Sequence, residues 1–132
     1  MNKFLIYLGV GVSASAMLFG FTSNSSSTIT DNEPAIEIPE NINAIFKNSC
    51  YGCHNSESKN AKAKKKLQID MLTSLSTGKL ASKLNKIAKE VEKGDMPTEK
   101  FAEKYPERVP TDEVRKTLVD WAKSTAEELA GE

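Results

Sequence analysis

The sequence predicts a small all-α fold, and three observations carry that reading. Leu80, Leu84, Ile87 and Val91 recur at spacings of four, three and four residues, which puts them on one face of a helix. Val114, Leu118, Trp121, Ala122, Thr125 and Leu129 draw a second such face. It follows Pro110-Thr111-Asp112-Glu113, a capping threonine with acids in the first turn. No segment carries a β-hairpin signal.

The elements follow in chain order. Lys3 precedes an uncharged, mostly apolar run from Phe4 to Phe21, the pattern of an export segment with its positive end on the cytoplasmic side. Residues 1–22 read either as a cleaved signal peptide or as a retained membrane anchor. Ala14-Ser15-Ala16 resembles a peptidase site, yet the apolar Met17 to Phe21 follows it. Uncut, the run is just long enough to span a bilayer. On either reading the rest of the chain is expected in the periplasm, free or tethered to the inner membrane. Residues 23–40, rich in Ser, Thr and Asn with Pro34 and Pro39, read as a flexible polar linker. Residues 41–132 are left for the folded domain.

Within that domain the first helix is expected from Pro39 to Ser49, with Ile42, Ile45 and Phe46 on its apolar face. Asn55 to Lys66 holds Lys59, Lys62, Lys64, Lys65 and Lys66 and reads as a solvated loop or helix surface. Such a run most often does nothing more, although it would also suit docking of an acidic partner. Leu67 to Leu75 fits an extended piece or a helix equally well. A helix from Lys79 to Lys93 is closed by Gly94, where a C-terminal cap belongs. Met96-Pro97 interrupts, Thr98 to Tyr105 forms a short helix stopped by Pro106, and the last helix ends at Gly131.

Composition narrows the function. The chain has 132 residues with 18 basic and 18 acidic side chains, so nothing favours nucleic acid as a partner. A domain this small often needs a metal, a disulfide or a cofactor to hold it. Cys50-Tyr51-Gly52-Cys53-His54 supplies the means. It matches the C-x-x-C-H pattern of covalent haem attachment, with two thiols spaced to add to two vinyl groups on one haem edge and a histidine aimed at the iron. The expected cofactor is one haem c, attached through Cys50 and Cys53 and ligated by His54. A thioredoxin-like pair would need surrounding strands. A Cys50–Cys53 disulfide would leave His54 idle, and zinc takes four ligands where three adjacent ones are offered.

His54 is the only histidine, so a sixth iron ligand from this chain would be of another type. Of the four methionines, Met1 and Met17 lie in the export segment. Met96 stands after a helix stop and before a proline, on a stretch able to present its side chain. Met71 sits in an apolar run, where methionine is more often core filling. Met96 is the favoured ligand, with Met71 or an open or lysine-filled site as alternatives. His/Met ligation points to electron transfer with redox proteins in the periplasm or at the membrane. No nucleophile–base pair or carboxylate dyad points to an enzyme. The competing reading is a haem-based sensor or catalyst for a gas or peroxide, which needs an open distal site.

Ser49 to Asn55, Glu92-Lys93-Gly94-Asp95-Met96-Pro97 with Phe101, and Thr111 to Trp121-Ala122 together resemble the small haem-binding-domain cytochromes c of exported bacterial proteins, from Ile45 to Leu129. The resemblance implies a cytochrome c-like helical domain wrapped around one haem, with Met96 at the position of the methionine ligand. It also implies that the C-terminal helix packs near the helix leading into Cys50. Many members carry a tryptophan- and proline-rich segment after the haem motif. Here that segment is the polar, lysine-rich Ser56 to Lys66.

Overall fold

A computed structural model describes residues 36–131. The export segment and most of the expected linker lie outside them. The described residues are helical, with no strand among them. The order is α1 (Glu40–Ile45), a π-helical turn (Phe46–Cys50), α2 (Ala61–Lys66), a 3₁₀ segment (Ile69–Ser74), α3 (Thr77–Glu92), α4 (Glu99–Lys104), a 3₁₀ turn (Pro106–Arg108) and α5 (Asp112–Ala130).

The two long helices, α3 and α5, form the main packing pair, and α1 lies against α5. Leu80, Leu84, Ile87 and Val91 of α3 are buried, as their spacing predicts, and Ala81 and Ala88 widen the stripe. On α5 the buried residues are Leu118, Val119, Ala122, Ala126 and Leu129. Ile42 and Phe46 join them from the start of the domain, and Ile69 and Leu72 from the 3₁₀ segment. Removing each of the Leu, Ile, Val and Phe side chains among these from water stabilises the fold by roughly 1.5–3 kcal/mol. Ile36 and Ile38, within the stretch read as linker, already pack against this core.

Helix ends follow local chemistry. Thr111 Oγ1 accepts the Val114 N–H at 3.4 Å, capping α5. Asn60 caps α2 by accepting from the Ala63 N–H at 3.1 Å. After α3, Gly94 takes φ 78°, a conformation that costs other residues a steric clash, and its N–H bonds the Val91 carbonyl at 3.1 Å.

Two local expectations change. The helix from Pro39 to Ser49 is α-helical only to Ile45, then widens into the π-turn, with Tyr51 N–H on the Phe46 carbonyl at 2.8 Å. Leu67 to Leu75 is neither strand nor α-helix. Leu67 is extended and the 3₁₀ segment follows, burying Ile69 and Leu72 but leaving Met71 44% exposed. Met71 is therefore not the core filler its apolar neighbours suggest.

Candidate haem site

The π-turn delivers Cys50 into a tight turn. The N–H groups of Cys53 and His54 both donate to the Cys50 carbonyl, at 3.1 and 3.0 Å. Both cysteines and the histidine thus stand on one turn of chain, and the cysteines are not bridged to each other. Cys50 packs against the core. Burial pushes its thiol up to about 11, with the charge of Arg108 countering the rise and the Cys53 thiol adding to it. Tyr51, between them, is on the surface at 38% exposure.

His54 is fixed on three sides. Besides its N–H bond to Cys50, its carbonyl accepts the Ile69 N–H at 3.0 Å. Its Nδ1 lies 3.2 Å from the Ala63 carbonyl of α2. A carbonyl only accepts, so Nδ1 is the donor of this contact, and Nε2 is the ring nitrogen it leaves uncommitted. This is the arrangement of a metal-ligating histidine whose second ring nitrogen is held by the backbone. The following loop is tied down as well. Asp70 accepts from the Ser56 N–H at 3.1 Å and from its hydroxyl, and the hydroxyl bond is the main cause holding the Asp70 carboxyl below the usual 3.8.

Met96 lies at the far end of α3, outside the Cys50–His54 turn but half-buried against the same core as Cys50 and Trp121. Its backbone is held at both ends. The N–H donates to the Glu90 carbonyl at 3.1 Å, and its carbonyl accepts from Arg115 Nη1 at 2.9 Å. Trp121 meets Phe46 edge-on, with ring centroids 5.9 Å apart. The helix leading into Cys50 and the C-terminal helix therefore do pack together.

Arg108 and Arg115 were not among the residues singled out from the sequence. Arg108 Nε donates to the Asn48 carbonyl at 2.6 Å, and Nη2 to the Lys47 carbonyl at 3.4 Å. Its own carbonyl accepts from the buried Ser49 hydroxyl at 2.7 Å, while its guanidinium faces the Phe101 and Tyr105 rings. Arg115 bonds Pro110 as well as Met96. A signal was there to be read. These are the chain's only two arginines, every other basic residue being lysine, and a planar fork of donors suits clamping two carbonyls at once.

The residues fit a haem. Two thiols share one turn, an imidazole held through Nδ1 has Nε2 left for iron, and a thioether lies against the same core as Cys50. No curated protein and no solved structure matches the chain. A family model described as a haem-binding domain matches residues 58–124. That stretch begins just after His54, runs from α2 through most of α5 and includes Met96. It spans just over half of the sequence, and the chain belongs to the haem-binding domain family.

Proposed function

We propose that the protein is an exported monohaem c-type cytochrome that carries electrons, with haem joined to Cys50 and Cys53 and iron held between His54 and Met96. The observation that supports this reading is the His54 Nδ1 contact with the Ala63 carbonyl, which leaves Nε2 for the proposed iron bond, on the same turn as the two thiols proposed for attachment. The haem, when bound, supplies an iron that moves between ferric and ferrous states. The chain's own residues do the rest. The Cys50–His54 turn holds both thiols and the imidazole on one backbone unit. Arg115 and Glu90 fix the backbone of Met96, so its thioether is presented without a search through loop conformations. Two fixed protein ligands suit electron transfer, because little rearrangement accompanies a change of oxidation state.

Residues 1–22 would direct export as a signal or an anchor, 23–40 would join them to the domain, and 41–132 would carry the haem. Among the described residues no helix is long and apolar enough to cross a membrane, and the export segment lies outside them. Redox proteins of the periplasm or membrane are the proposed partners, and no substrate turnover is proposed.

The test is the optical spectrum of the haem-loaded protein and of Met96→Ala. The wild type is expected to be low-spin, with a thioether-to-iron band in the oxidised form. Met96→Ala should lose that band, turn high-spin and bind carbon monoxide when reduced. A wild type that is already high-spin would favour the gas- or peroxide-responsive reading. Haem extracted by acidified solvent would exclude covalent attachment.

A further inference from the structure

We propose that the face built by α2 and the following 3₁₀ segment is the docking surface for an acidic redox protein that exchanges electrons with the haem. The inference rests on the electron-carrier reading and adds a place and a partner chemistry to it. Between Glu57 and Asp70 the chain carries five lysines and no acid, although its net charge is zero. Asp70, the one acid of the 3₁₀ segment, is bonded by Ser56 and does not line the groove of Lys64, Lys65 and Lys83. Lys64, Lys65 and Lys83 line a shallow groove together with Leu67, Met71 and Leu75, and no carboxylate lines it. Among the described residues the ion pairs are Lys116–Asp120 and Lys123–Glu92, so none of the groove's cations is compensated. Lys83 instead donates to the Lys66 carbonyl at 2.6 Å, joining α3 to the end of α2.

Met71 gives the patch its second feature. It is one of two large hydrophobic residues left exposed among those described, and it stands inside this lysine rim. An adaptable apolar side chain surrounded by uncompensated cations is suited to a transient protein contact. The charges steer and orient an acidic partner, and the apolar centre loses water on contact. The location ties the patch to the proposed redox centre. Ala63, whose carbonyl holds His54 Nδ1, belongs to α2 itself. A partner seated on α2 is therefore one helix away from the proposed iron ligand. Charge complementarity selects an acidic protein. An anionic membrane surface is the competing occupant, and the experiment separates the two.

The measurement is the rate at which the oxidised, haem-loaded protein is reduced by two one-electron donors. One is an acidic flavodoxin in its hydroquinone form, which becomes the semiquinone as ferric iron becomes ferrous. The other is photoreduced lumiflavin, small and uncharged. With flavodoxin the wild-type rate should fall about tenfold or more between low and physiological ionic strength. Lys64→Glu/Lys65→Glu should lower the low-salt rate about tenfold and flatten its salt dependence. Lys89→Glu/Lys100→Glu, with the same change in net charge outside the patch, should lower it far less. Met71→Ser should slow flavodoxin severalfold with the salt slope kept. Lumiflavin should reduce all variants equally.

Equal losses from the two lysine pairs would overturn the docking site, because net charge alone would then explain the rate. Capture by phosphatidylglycerol vesicles that Lys64→Glu/Lys65→Glu abolishes, with flavodoxin rates unchanged, would overturn it in favour of a membrane surface. A wild type that lumiflavin cannot reduce would instead remove the electron-carrier reading, and the docking proposal with it.

Discussion

Met96 is held by its backbone: Glu90 receives its N–H at 3.1 Å and Arg115 bonds its carbonyl at 2.9 Å. Arg115 also bonds Pro110 at 3.2 Å, so one guanidinium ties the Met96 stretch to the start of α5. Hydrogen bonds from a charged donor contribute about 1.5–3 kcal/mol each when partly buried. Arg115→Ala frees both carbonyls and, with Met96 as the proposed iron ligand, should lower the temperature at which the oxidised protein loses the expected thioether-to-iron band. Arg115→Lys keeps the charge but lacks the fork, and should fall between the two. An unchanged band-loss temperature in Arg115→Ala would show that Met96 holds its place without this clamp. Arg108 plays a matching part at the other segment, where it takes the carbonyls of Lys47 and Asn48 just before Cys50. The chain's two arginines thus stand at its two candidate ligand segments.

At the scale of the element, α3 contains one glycine and is followed by another, and the two have opposite demands. Gly78 lies in its first turn with nothing within 4 Å of where a Cβ would be. There alanine is the better helix former by roughly 0.5–1 kcal/mol. Gly94 follows the helix at φ 78°, where the space is equally open but an L side chain costs about 1–2 kcal/mol. Gly78→Ala should therefore raise the midpoint of chemical denaturation and Gly94→Ala should lower it. Because the Gly94 turn delivers the chain into Met96, only Gly94→Ala is expected to weaken the thioether-to-iron band as well. Both helix-scale features were legible beforehand. The α3 stripe followed from its spacing, and Gly94 from its place after the last apolar residue. The π-turn was not, because the bonds from Arg108 come from about 60 positions further along the chain. The Leu67–Leu75 stretch resisted for another reason. Its apolar residues suit more than one period, and only packing decides which of them face the core.

For the molecule as a whole, Phe46 joins the start of the domain to its end. It is fully buried and meets Trp121 edge-on, so it anchors the segment leading into Cys50 against α5. Phe46→Ala should cost about 3–5 kcal/mol, a large share of the stability of a domain this small. Tyr51→Ala, at a residue 38% exposed, should stay within about 0.5 kcal/mol. Denaturant titration of the haem-loaded proteins checks the pair. Equal, small effects would mean that the contact between the two ends of the domain matters little to the fold.

What the sequence determined by itself were the features written in short spacings. These are the helical class, the two long amphipathic faces, the cap at Thr111, the turn at Gly94 and the Cys50–His54 pattern that points to haem. Each depends on residues a few positions apart, and backbone geometry alone converts such spacing into shared faces and turns. Only the tertiary structure decided that His54 Nδ1 faces the Ala63 carbonyl, that Arg108 and Arg115 clamp distant carbonyls, and that Met71 faces water amid lysines. Those outcomes depend on which elements meet once apolar faces are buried. Burial fixes that meeting through contacts across the chain, which no local spacing encodes.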